Sequence, residues 1–125
     1  MNLNQVTVPS VDVATAISFY KKLGLQLIVA SLPRYARFEC PKGAATFSIH
    51  QVDKRPKGEG VYVYFECEQL DQQVQDLIEK EIVFDEMPND KSWRWREARL
   101  KDPDGNQLIL FFAGEDRRFP PWRLD

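Results

Sequence analysis

The sequence predicts an α+β fold made of two copies of a βαβββ module within a single domain spanning residues 1–125. Three observations carry this expectation. Strand-period and helix-period runs follow one another in the same order in both halves, about 1–53 and 59–113. A polar loop rich in Lys, Pro and Gly, residues 53–60, divides them. Each half also presents an apolar sheet face that it cannot bury alone, so the two are expected to pair.

The first half begins with alternation over residues 3–8, where Val6 and Val8 share one face and Leu3, Gln5 and Thr7 the other, the period of a half-buried strand that Pro9 is expected to end. Ser10 and Asp12 are candidate N-caps for a helix whose apolar face is Val13, Ala16, Ile17 and Tyr20, and Gly24 supplies its C-terminal stop. Three strands follow at 25–30, 35–40 and 44–52, separated by turns at Pro33 and at Pro41-Lys42-Gly43. The second half repeats the order. A strand runs over 61–67, and Leu70, Val74, Leu77 and Ile78 mark one helix face. Strands are expected at 82–87, 93–100 and 107–112, the last two joined by the tight turn Asp102-Pro103-Asp104-Gly105-Asn106. A tail, residues 114–125, carries Arg117, Arg118, Phe119, Pro120, Pro121, Trp122 and Arg123; it is expected either to strap across a partner subunit or to dock on its own domain.

Composition narrows the partners. The formal charge of −2 comes from many residues of both signs, whereas a nucleic-acid surface needs a basic excess to displace counterions. No stretch of eighteen apolar residues exists, so no membrane span, export or anchor is expected. Cys40 and Cys67 lie in apolar strand-like runs and read as reduced core thiols, which implies the cytoplasm.

Strand parity assigns side chains to faces. Val63 and Phe65 go to the helix side and turn Tyr62, Tyr64 and Glu66 to a concave face. By the same alternation Tyr35, Arg37 and Glu39 are concave, as are Thr46, Ser48 and His50, then Trp93, Trp95, Glu97 and Arg99, then Gln107, Ile109 and Phe111. An aromatic wall with a few fixed polar groups is the composition of a small-molecule site.

Two segments resemble the vicinal-oxygen-chelate superfamily of glyoxalases, bleomycin resistance proteins and extradiol dioxygenases. Residues 11–25, VDVATAISFYKKLGL, look like that family's first helix and turn, and residues 98–106, ARLKDPDGN, are similar to its last hairpin. The resemblance implies an eight-stranded open barrel-like cleft, formed within one chain or by exchange between two, and a homodimer. In the family's metal enzymes four strands supply His and Glu ligands; the corresponding positions here are Gln5, Ser48, Tyr62 and Ile109. Amide, hydroxyl and phenol are weak donors and isoleucine offers none, so no metal and no cofactor is expected.

The expected ligand-binding set is therefore Gln5, Arg37, Ser48, His50, Tyr62, Tyr64, Trp93, Trp95, Glu97, Arg99, Ile109 and Phe111, with no catalytic residue assigned. His50, the one histidine, reads as a general base or as a strand-end residue near solvent. Glu97 with Arg37 and Arg99 reads as an anion-positioning cluster or as a cross-strand salt-bridge ladder. Tyr62, Tyr64, Trp93 and Trp95 read as stacking surfaces for an aromatic or cationic ligand, or as structural filling. The function expected is metal-independent binding of a small molecule, as in the family's antibiotic-sequestering members. A glyoxalase-type lyase or isomerase, a dioxygenase-like enzyme and a protein-interaction module are the alternatives.

Overall fold

The computed structural model describes residues 1–124, so Asp125, the last residue of the expected tail, lies outside the described residues. The chain divides into two compact units, Met1–Gly60 with Asp102–Asn106, and Val61–Lys101 with the chain from Gln107 onward. Each contains a four-stranded sheet and a helix, which makes the fold α+β with a duplicated βαβββ order.

In the first unit β1 (Gln5–Ser10), β2 (Gln26–Ser31), β3 (Tyr35–Glu39) and β4 (Thr46–Gln51) pair in the order β1-β4-β3-β2, with β1 parallel to β4 and the other pairs antiparallel. Helix α1 (Val13–Leu23) covers one face. Asp12 caps it by accepting from the Thr15 N–H at 3.2 Å, and Gly24 ends it at φ 112°, a left-handed conformation that costs glycine no Cβ clash. The buried helix face is Val13, Ala16, Ile17, Tyr20 and Leu23. Tyr20 is wholly buried, its ring 4.6 Å from that of Phe47 and 5.9 Å from that of Phe38.

The turn Asp102–Asn106 belongs to this unit, and hydrogen bonding explains why. The Tyr20 hydroxyl donates to Asp102 Oδ2 at 2.6 Å, the Val11 N–H donates to Asp104 Oδ1 at 2.9 Å, and Asn106 Nδ2 donates to the Pro9 carbonyl at 2.9 Å. Contrary to the expectation from sequence, Pro9 does not end β1, which continues to Ser10, because β1 is an edge strand of its sheet. The Pro9 carbonyl faces Asn106 rather than β4, so the missing proline N–H costs the ladder nothing.

The second unit repeats the order with β5 (Tyr62–Glu66), α2 (Leu70–Glu79), β6 (Glu86–Asp90), β7 (Arg96–Lys101) and β8 (Gln107–Phe112), its sheet running β5-β8-β7-β6. Central strand β8 is buried on both faces: Leu108 and Leu110 on one, Ile109 and Phe111 on the other. Leu70, Val74 and Leu77 form the buried stripe of α2, but Ile78 is 38% exposed, outside the expected face. Where α1 ends in glycine, α2 ends with Glu81 at φ 70°, and the Ile82 N–H returns to the Leu77 carbonyl at 3.1 Å.

Two further expectations shift. β6 starts at Glu86 rather than 82, because residues 80–82 are spent closing the helix. β7 starts at Arg96 rather than 93, because Arg94 at φ 70° turns the chain before it enters the sheet. Cys40 and Cys67 fall just beyond the ends of β3 and β5 and are half-buried rather than core; both are free thiols. The described tail begins with a 3₁₀ turn, Gly114–Arg117, tied to the second unit by Arg94 Nε to Asp116 Oδ2 at 2.9 Å and by Glu66 Oε2, which accepts the N–H groups of Ala113 and Gly114 at 2.9 Å each. That is the docking alternative for this segment, and it gives strand-end Glu66 a capping role.

Candidate functional site

The face of the second sheet opposite α2 gathers most of the expected residues. Tyr62 and Tyr64 rise from β5, Ile109 and Phe111 from β8, and Glu97 and Arg99 from β7, in the registers Tyr64↔Ile109, Glu97↔Phe111 and Arg99↔Ile109. Trp95 enters from the residue before β7. Its ring stacks on Phe111 with centroids 4.8 Å apart at 23°, and Tyr64 packs its edge on both, at 5.9 Å and 5.4 Å. Offset stacking with perpendicular edge contacts is the arrangement that aromatic quadrupoles favour. Tyr62 and Trp95 pack on an apolar base of Ile109, Phe111 and Ala113.

Charge is set into this surface. Glu97 has no solvent exposure, and its Oε2 accepts from the Trp93 indole N–H at 2.9 Å. Trp93 does so from the β6–β7 turn rather than from the strand row expected for it. Arg99 lays its guanidinium over the Tyr62 ring at 5.4 Å and stands 4.0 Å from Glu97 Oε1 through Nη2 and 3.6 Å from Glu86 Oε2 through Nε. Glu86 in turn accepts from Lys91 and from Asn89 Nδ2, bonds that hold its carboxyl below the usual range, the Lys91 bond first. Burial, and then the nearby Glu97 charge, push the Tyr64 phenol up. Two buried atoms here make no hydrogen bond, Glu97 Oε1 and Arg99 Nε. Arg99 and Glu86, register partners on β7 and β6 and each about one-third exposed, form a cross-strand pair of the ladder reading, whereas Glu97 is buried and desolvation makes its contacts matter.

The remaining candidates lie in the first unit. Ser48 is fully buried and shares a 2.5 Å hydrogen bond with Thr7, its register partner. Hydrogen bonding to Ser48, then to Arg37, holds the Tyr35 phenol below its ordinary value; Arg37 Nε donates to Tyr35 Oη at 2.9 Å. Arg37 is therefore engaged by Tyr35. Gln5 is exposed and accepts from the Thr46 hydroxyl at 2.9 Å, so Thr7, not Gln5, stands opposite Ser48. His50 is exposed near the end of β4, in register with Tyr35, as a strand-end histidine near solvent would be.

Sequence reasoning missed Thr7, Tyr35, Glu86 and Lys91 as participants. Parity already placed Thr7 on the face of Gln5, and Tyr35 on that of Arg37, so the missing information was register. Glu86 and Lys91 gave no signal, because the start of β6 was misplaced.

The side chains at the four positions that the resemblance assigns to metal ligands do not fit a divalent ion. Gln5 Oε1 accepts from Thr46 and the Ser48 hydroxyl is bonded to Thr7, while Tyr62 offers a phenol and Ile109 a hydrocarbon. Among the described residues no three His, Cys, Asp or Glu side chains gather in an ion-holding group. No helix of the described residues is long and apolar enough to cross a membrane.

Comparison with known proteins follows the same line. The chain is similar over its full length to a glyoxalase/bleomycin resistance protein/dioxygenase structure from Nocardioides, at 23% identity and TM-score 0.80, covering 90% of that chain. It is similar to a lactoylglutathione lyase from Agrobacterium tumefaciens at 14% identity and TM-score 0.76, covering 94% of this chain and 97% of that one. It is also similar to a bleomycin resistance determinant encoded on the transposon Tn5, at 17% identity and TM-score 0.76, covering 91% and 99%. These likenesses show the fold. No curated protein sequence matches the chain. The family model for the glyoxalase/bleomycin resistance protein/dioxygenase superfamily matches residues 2–110, and with the duplicated βαβββ order this shows that the chain belongs to that superfamily.

Proposed function

We propose that this protein is a metal-independent small-molecule-binding protein that holds a ring-bearing ligand against the aromatic face of its second sheet. The observation that carries the proposal is the joint one of Trp95, Phe111 and Tyr64 packed ring on ring beside a buried carboxylate and its arginine. Rings supply contact area at little rotamer cost, and fixed polar groups among them orient what binds. The donor set at Gln5, Ser48, Tyr62 and Ile109 supports binding without a metal. Free thiols at Cys40 and Cys67, the latter pushed up to about 11 by burial and then by Glu66, fit a reducing cytoplasm.

The second reading is an enzyme of lyase or isomerase type, favoured by one observation: a fully buried Glu97 carboxylate within reach of an arginine is a group that can take or position a proton. The names of the similar structures, a lactoylglutathione lyase and a bleomycin resistance determinant, give the fold precedent for both readings.

A ligand library screened by tryptophan fluorescence tests the proposal. A ring-bearing hit is expected to lose affinity about tenfold, or ~1.4 kcal/mol, in Trp95→Leu. Unchanged affinity in that variant, or turnover of the hit, would set the binding reading aside.

A further inference from the structure

We infer that the second sheet selects a neutral, planar carboxamide or lactam, whose N–H meets Glu97 and whose carbonyl meets Arg99; this rests on the ligand-binding reading above. Two buried polar atoms on this face lack hydrogen bonds, and they are opposite in kind. Glu97 Oε1 is an acceptor and Arg99 Nε a donor. The two residues are neighbours on one face of β7, with Arg99 Nη2 4.0 Å from Glu97 Oε1, and the 3.6 Å from Arg99 Nε to Glu86 Oε2 is too long for a hydrogen bond. Native proteins seldom leave such atoms unmatched, because each costs its desolvation without return. A group presenting one donor and one acceptor along a single edge satisfies both at once.

Charge decides between ligand classes. Glu86 and Glu97 contribute two negative charges, and Lys91 and Arg99, in contact with them, two positive. The cluster sums to zero. A cation would leave Arg99 opposed, and an anion would leave Glu97 opposed, so a neutral ligand with paired donor and acceptor fits where either ion does not. The flat shape follows from the rings, since Tyr62 already holds the Arg99 guanidinium against its face at 5.4 Å and Trp95 lies on Phe111. Glu97 Oε1 and Arg99 Nε are themselves covered, so a ligand reaches them only when a side chain moves aside, not a strand. Arg99, with a third of its side chain exposed, and Trp93, which bonds Glu97 Oε2 from the turn and is 42% exposed, are the side chains whose movement would uncover them.

Three probes of matched shape test this: benzamide, benzamidinium and benzoate, with toluene as a ring lacking polar atoms, each titrated against the full chain by ligand-observed NMR. Benzamide is expected to bind about tenfold more tightly than either ion, a preference reduced at least fivefold in Glu97→Gln and in Arg99→Gln. Arg99→Gln, which leaves one net negative charge, is expected to shift relative affinity toward benzamidinium. Circular dichroism of both variants confirms folding, and should one fail to fold the other carries the test. Equal binding of all probes, or preference for an ion or toluene, overturns this inference and leaves the ligand-binding reading standing. Binding of none overturns both.

Discussion

Replacing Tyr20 by Phe removes one oxygen and leaves the ring packing of the first unit in place. Tyr20 is fully buried among Phe38 and Phe47, and its hydroxyl donates to Asp102 Oδ2 at 2.6 Å. Asp102 keeps three other hydrogen bonds, from the Asp104 and Asn106 N–H groups at 2.9 Å each and from Asn106 Nδ2 at 2.8 Å, so the variant does not orphan the carboxylate. What is lost is one charge-assisted bond, about 2 kcal/mol within the usual 1.5–3. At about 3–6 °C per kcal/mol this lowers Tm by roughly 6–12 °C. The alkaline limb supplies an independent check. Burial first, and then the Asp102 charge, raise the folded-state phenol far above its ordinary value of 10.0. The unfolded chain therefore releases this proton above about pH 10 while the native state retains it. Stability due to Tyr20 is complete below pH 10 and falls as pH rises beyond it, by about 1.4 kcal/mol per unit. Tyr20→Phe removes that slope. Urea unfolding followed by circular dichroism at pH 8 and pH 11 measures both quantities. A loss below about 0.5 kcal/mol at pH 8, or an unchanged difference in stability between the two pH values, would refute the role assigned to this bond.

Glu81→Gly relieves the left-handed backbone at the end of α2 and is expected to stabilise by about 1 kcal/mol in denaturant unfolding, whereas Gly24→Ala at the corresponding place after α1 is expected to destabilise by about as much. Ser48→Ala removes the hydrogen bond chiefly responsible for the low Tyr35 value, so spectrophotometric titration should show one phenol moving up toward its ordinary range.

Periodicity and turn chemistry made much of the fold legible. Asp12 and Gly24 bracket α1 where residue type alone placed them, because capping acts within a few residues. Alternation put Tyr62, Tyr64, Glu97, Arg99, Ile109 and Phe111 on one face, since a strand has no freedom to do otherwise. What stayed hidden depends on register or on distant partners. Helix closure without a glycine at Glu81 and the turn at Arg94 displaced β6 and the start of β7, and with them the place of Trp93. That Thr7 faces Ser48 stayed hidden because a parallel pairing offers no hairpin from which to count the register. The Tyr20–Asp102 bond spans 82 positions, and the burial of Glu97 follows from packing rather than from its neighbours in sequence.

The proposal of ligand binding without a metal is the one most open to direct measurement. Its direct test is to incubate the purified protein with nickel, zinc, iron and manganese, remove loosely held ions, and titrate the best ring-bearing hit before and after exhaustive chelation. Retention far below one ion per chain and an affinity that chelation leaves unchanged are the expected result. Near-stoichiometric retention, with affinity lost on chelation and restored by the metal, would contradict it.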